Sequence, residues 1–103
     1  MAVKKVTSDT FETEVLKSEK TVIADFNADW CGPCKMLAPV LEEVSDELSE
    51  VKFVSINVDD EETLAEDNDI SSIPCLIVFK NGEETNRSVG LISKDELISL
   101  AKE

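Results

Sequence analysis

Short apolar runs of strand character alternate with helix-period segments along the whole chain, and a chain patterned this way must bury a sheet between helices. The clearest strand is Thr21-Val22-Ile23-Ala24-Asp25-Phe26, a mostly apolar run of the kind found in strands buried on both faces. Residues 3–6 and 51–58 read as further strands, the second rich in β-branched residues. Leu76-Ile77-Val78-Phe79 is another, and Asn81-Gly82 behind it marks a tight hairpin, because both positions tolerate positive φ. Residues 83–89 return as its partner strand.

Four helical segments are expected between and after these strands. Asp9 with Glu12 fits a capping box for a first helix whose apolar face is Phe11, Val15 and Leu16. Leu37, Val40, Leu41, Val44 and Leu48 recur at spacings of three and four over residues 34–49, with Pro39 inside as an expected kink. Residues 61–68 suggest a short helix with Leu64 and Ala65 inward. Ser93 and Glu96 form a second capping box, opening a final helix with Leu97, Leu100 and Ala101 on its core face. The predicted order is β-α-β-α-β-α-β-β-α, an α/β fold with a central mixed β-sheet flanked by helices on both faces. At 103 residues with 42% apolar content, residues 1–103 suffice for a single domain with one core.

Composition narrows function by exclusion. The 23 acidic and 10 basic residues leave a net charge of −13, which repels nucleic acid and anionic membranes alike. Solubility accounts for such a surface; selection of basic partners is the sharper alternative. No apolar run approaches the ~18 residues of a membrane span. The two lysines at the N-terminus are followed by polar residues 7–10, so no secretory signal is expected and a cytoplasmic location is. Histidine is absent, which removes the usual general base and metal ligand.

Three cysteines are too few and too odd for a disulfide scaffold, but two of them, Cys31 and Cys34, are two residues apart at a strand-to-helix junction. In open α/β sheets, ligand chemistry gathers beyond the carboxyl ends of strands. The first turn of a helix offers unpaired N–H groups and partial positive charge, and both stabilise a thiolate. Cys31, at the helix mouth, is expected to be the exposed nucleophile, with Cys34 more buried one turn inward. Cys31 thiolate attacks a disulfide, and Cys34 displaces the resulting mixed disulfide intramolecularly. Gly32 allows a partner backbone close, and Pro33 stiffens the loop. Zinc needs four ligands, and only Cys75 is left to join the pair. Haem attachment needs histidine where Lys35 stands. An inert structural disulfide across so short a loop gains little.

Ala28-Asp29-Trp30-Cys31-Gly32-Pro33-Cys34-Lys35-Met36 resembles the active-site signature of the thioredoxin family. Asp25-Phe26, Ile73-Pro74, Phe79-Lys80-Asn81-Gly82 and Val89-Gly90 match further landmarks of that family at the expected intervals, so the likeness spans the chain. It implies the thioredoxin fold and a protein-disulfide reductase recharged by a thioredoxin reductase. Disulfide-containing client proteins would be its substrates, it would act as a monomer, and its only redox group would be a Cys31–Cys34 disulfide, with no cofactor. Gly-Pro between the cysteines fits the reducing branch of the superfamily. A thioredoxin-fold docking module is the reading of a different class.

The resemblance also implies roles for single residues. Asp25 would be buried near Cys34 and exchange its proton; the plain alternative is a strand-end carboxylate that reaches water. Burial would raise its pKa. Pro74 would be cis and face the cysteines, and the backbone of Ile73 would pair with substrate. Trp30 would shield the thiol and contact partners, and Gly90 would let a partner chain pass close by. Lys35 either assists the thiolate or is a solvated helix residue. Three positions depart from the family pattern. Lysine is frequent where Ser55 stands, an aromatic where Asn27 stands, and threonine where Cys75 stands. Cys75 reads as a buried inert residue or as a third thiol near the pair.

Overall fold

Residues 22–26 are all buried, and that strand lies at the centre of the sheet. A computed structural model describes residues 2–103. Among these, the strands are β1 (Val3–Lys5), β2 (Thr21–Asn27), β3 (Val51–Asn57), β4 (Cys75–Lys80) and β5 (Glu83–Val89). The helices are α1 (Gly32–Glu47), α2 (Glu62–Asp67) and α3 (Lys94–Ala101), with a π-helical stretch at Glu12–Leu16. The expected order of elements is met.

The sheet runs β1-β3-β2-β4-β5. β2 pairs parallel with β3, which pairs parallel with β1, as strand-helix-strand units require. β4 lies antiparallel to β2, so the antiparallel half of the sheet begins beside its centre rather than only at the hairpin edge. Side chains alternate across β2. Val22, Ala24 and Phe26 join a core with Phe11, Val15 and Leu64, beneath the π-helical stretch and α2. Ile23 joins the other core with Leu37, Leu41 and Val44 of α1 and Leu97 and Leu100 of α3. Helices therefore cover both faces. None of the described helices is long and apolar enough to cross a membrane.

Pairing register places one rim of the sheet. Asn27 at the end of β2 lies opposite Asn57 at the end of β3, Phe26 lies opposite Cys75 at the start of β4, and Cys75 lies opposite Val89 at the end of β5. The segments that follow β2, β3 and β5 and the one that precedes β4 thus meet at one edge of the molecule.

Two local expectations hold in detail. Asn81 and Gly82 take φ of 53° and 81°, the turn the Asn-Gly pair implies. Ser93 and Glu96 make both hydrogen bonds of a capping box at the start of α3. The box expected from Asp9 and Glu12 does not form. Thr10 closes the preceding turn instead: its Oγ1 accepts from the Thr7 N–H at 3.0 Å, and no side chain caps the helix that follows. Glu12 pairs with Lys17 at 3.1 Å. The Lys17 N–H reaches back five residues to the Glu12 carbonyl at 2.9 Å, and this wide winding turns Leu16 outward to 37% exposure rather than into the core. α1 begins at Gly32, two residues earlier than the apolar period suggested, and continues through Pro39.

Candidate active site

The segment after β2 turns at once into α1, and Cys31 stands at the junction. Its backbone is extended (φ −86°, ψ 109°), while Gly32, Pro33 and Cys34 already wind as the first turn. Proline suits this place because its missing N–H would be unpaired in any case. The Cys31 side chain does what serine or aspartate does at most helix starts: Sγ accepts the Cys34 N–H at 3.2 Å. The Cys31 carbonyl accepts from Lys35 N–H at 3.1 Å, and its own N–H donates to Ala28 O at 3.2 Å. Sulfur 31 therefore sits on the positive end of a helix 16 residues long, with a backbone donor aimed at it.

The two cysteines are joined by a disulfide, with Cα atoms 5.2 Å apart. Together with Ala28 they form a small apolar cluster against which Val58 and Ile73 pack. Cys31 and Cys34 are each 4% exposed, so the expected contrast between an open Cys31 and a buried Cys34 is absent in the disulfide form. Ala28 beside it and Val58 and Ile73 packed against it cover Cys31. What distinguishes the two positions is the backbone: Cys31 precedes the helix and accepts, whereas Cys34 lies inside it and donates.

Asp25 lies on β2 and is 4% exposed, so it does not reach water as a strand-end carboxylate would. It lines a cleft of about 570 Å³ between the sheet and α1, which Cys34 and Lys35 also line. Burial raises its carboxyl from 3.8 to about 7, against the opposing pull of a hydrogen bond from Asn27. That bond runs from Nδ2 to Asp25 Oδ2 at 3.2 Å, and Asp25 Oδ1 is buried without a hydrogen-bond partner among the described residues.

The remaining residues singled out in the sequence gather on the rim. The Ile73–Pro74 peptide bond is cis. Ile73 packs on the cysteine cluster, and the Pro74 carbonyl accepts from Gly90 N–H at 2.8 Å, which ties the start of β4 to the end of β5. Gly90 has φ of 100°, and a Cβ there would meet nothing within 4 Å. Gly32 and Pro33 are exposed. Trp30 is 71% exposed, and its Nε1 donates to Asp59 Oδ2 at 2.8 Å. Met36, Val89 and Leu91 are further large apolar side chains left open. Cys75 is buried in the opposite core with Phe26 and Leu64, apart from the cysteine pair, and burial pushes its thiol up.

A family model described as Thioredoxin matches residues 2–103. The chain belongs to the thioredoxin family. Thioredoxins of several bacteria resemble it over nearly their whole length. The thioredoxin of Chlamydia caviae is 48% identical over 98 residues, 95% of this chain and 94% of that one. That of Rickettsia bellii is 47% identical over 94 residues, 90% of each. That of Mycoplasma genitalium is 42% identical over 87 residues, 84% of this chain and 85% of its own. Like other thioredoxins, the chain is a disulfide oxidoreductase that works by dithiol–disulfide exchange, and Cys31–Cys34 is its redox-active pair.

Two features of this site involve residues to which the sequence pattern gives no role. Asp59 anchors Trp30 across 29 positions, held by a loop in which Asn57 Oδ1 accepts the N–H groups of Asp59 and Asp60 at 2.8 and 3.2 Å. No local pattern announces that contact. Asn27 as the partner of Asp25 was legible in principle, since residues two apart on a strand share a face.

Proposed function

We propose that the chain works in the reducing direction, as a protein-disulfide reductase with Cys31 as nucleophile and Cys34 as resolving thiol. The observation that carries the choice of Cys31 as nucleophile is the Cys34 N–H donated to its Sγ at the start of α1, because the same donor and the helix dipole favour a thiolate there once the disulfide is opened; the reducing direction rests on the Gly32-Pro33 pair between the cysteines. Cys31 thiolate attacks one sulfur of a client disulfide; a mixed disulfide forms and the other client sulfur leaves as thiolate. Cys34 then gives its proton to the Asp25 carboxylate and attacks Cys31 Sγ, and the second client sulfur leaves. Two electrons have passed to the client, and Cys31–Cys34 is again a disulfide. A carboxyl that titrates at about 7 in the cleft that Cys34 lines is suited to that proton transfer.

Trp30, Gly32, Pro33, Ile73, Pro74 and Gly90 form the surface that receives the client, with Ile73 offering its backbone and Gly90 giving room for the passing chain. A thioredoxin reductase restores the dithiol. No cofactor is needed, since electrons move only between sulfurs. Residues 1–103 act as one domain and as a monomer in the cytoplasm, a reading supported by the single sheet common to both cores and by the charge of −13.

Trapping tests the assignment. Reduced Cys34→Ser protein, mixed with insulin, accumulates a covalent adduct on a non-reducing gel that dithiothreitol releases; Cys31→Ser protein gives none. An adduct through Cys34 alone, or none from either variant, refutes it. NADPH oxidation in the presence of a thioredoxin reductase and insulin tests the electron source.

A further inference from the structure

The cleft that joins Asp25 to Cys34 contains an amide that the exchange steps do not use. Asn27 Nδ2 lies within reach of three acceptors: Ser55 Oγ at 2.8 Å, the Asp25 carbonyl at 3.0 Å and Asp25 Oδ2 at 3.2 Å. Strand geometry produces the arrangement. Asp25 and Asn27 are two apart on β2 and share the face under α1, and Asp25 stands directly opposite Ser55 on β3. The amide therefore bridges a diagonal between the two strands, its two hydrogens shared among the Ser55 hydroxyl and the carbonyl and carboxyl oxygens of Asp25. Only Oδ2 of the carboxyl is engaged; among the described residues Oδ1 is buried without a partner, as is Oε1 of Glu42, which lines the same cleft from α1.

We infer that Asn27, braced by Ser55, is a positioning residue for the resolving step: it holds Asp25 by Oδ2 so that Oδ1 is the oxygen that takes the Cys34 proton. This rests on the reading of Asp25 as the base for Cys34. A hydrogen bond to the ionised carboxylate favours the charged form, so the amide also sets the pH at which Asp25 becomes a base.

Other charged groups face the same cleft and do not replace it. From β1 comes Lys5, from the segment after β2 Asp29, and from α1 Lys35 and Glu42 beside Cys34 itself. Cys75 of β4 lies behind Asp25, on the other side of the sheet. None of these gives Asp25 a hydrogen bond among the described residues, whereas Asn27 gives one, and it is the only group beside burial that moves this carboxyl.

Two readouts on full-length protein test the inference. The first is the Asp25 carboxyl midpoint, followed by its carbon chemical shift in the disulfide form. The second is the pH dependence of mixed-disulfide resolution, with insulin as client and dithiothreitol as reductant. Asn27→Leu keeps the side-chain volume and removes the donor. It moves the Asp25 midpoint, and the acid limb of the resolution rate with it, about one pH unit upward, as the loss of one hydrogen bond to a charged group predicts. Ser55→Ala removes only the brace and moves both in the same direction by less; it carries the test if Asn27→Leu does not fold. In an Asp25→Asn background, Asn27→Leu leaves the remaining pH profile unchanged. A purely structural Asn27 would lower thermal stability and leave both midpoints in place, and that result overturns the inference. If Asp25→Asn itself leaves the acid limb intact, the role of Asp25 as base falls instead, and the carbon shift still reports whether Asn27 governs its titration.

Discussion

Replacing Asp25 by asparagine makes the protein more stable, and increasingly so as pH rises. The carboxyl is nearly sealed, with one oxygen unpaired among the described residues, and burial lifts it from an ordinary 3.8 to about 7. In the unfolded chain it ionises near 3.8, in the folded chain only near 7, so between those values the native state binds more protons and stability falls with rising pH. Below both values the group is neutral in either state and the penalty vanishes; above both it is constant. At about 1.4 kcal/mol per pH unit the full penalty is about 4 kcal/mol, of which about 3 kcal/mol accrues between pH 5 and 8.5. Asparagine has nearly the same shape and does not titrate. Urea unfolding of the disulfide forms, in which Cys31 and Cys34 carry no proton, isolates the effect as the difference between variant and parent. Starting near pH 5 keeps the protein above its isoelectric region around 4.2. The difference grows by about 3 kcal/mol over that range if Asp25 is buried as described. A difference that stays flat with pH refutes the account, because a carboxyl in contact with water would ionise alike in both states.

Two further outcomes follow from local geometry. Gly82→Ala costs about 2–3 kcal/mol in urea unfolding, because φ is 81° there and the added Cβ would meet the Leu16 carbonyl oxygen at 2.7 Å; an unchanged midpoint would mean the hairpin does not rest on that carbonyl. Cys75 in the native disulfide form reacts with iodoacetamide on the order of a hundredfold or more slower than in urea, since its thiol is buried and harder to ionise. Rapid labelling of the folded protein would contradict its place in the core.

What the sequence revealed was whatever local chemistry decides alone. The apolar run of β2, the Asn81-Gly82 turn and the Ser93–Glu96 box each specify their structure within a few residues, and all three appear as expected. The first helix went differently because residues 8–10 offer several possible caps in succession, and Thr10 rather than Asp9 closes the turn. α1 starts two residues ahead of its apolar period because Cys31 caps it through sulfur, which is not among the usual capping atoms, and the capped turn, Gly32-Pro33-Cys34, carries no apolar repeat to mark it. The low exposure of Cys31 has no local signature, because Val58 and Ile73, which pack against it, are distant in the chain. The antiparallel setting of β4 beside β2 likewise has no signature in either strand, since both read simply as apolar.

The rim where four passages of the chain converge has a consequence for biosynthesis. Cys31 and Cys34 precede β3 in the chain, whereas Ile73, Pro74 and Gly90 come only after α2. A growing chain that has just released α1 from the ribosome already owns these two sulfurs, while Ile73, which packs on them in the folded protein, has yet to be made. The setting that α1 gives Cys31 can thus form before the rim does, and the rim is complete only when β4 and β5 dock beside β2 and close the sheet.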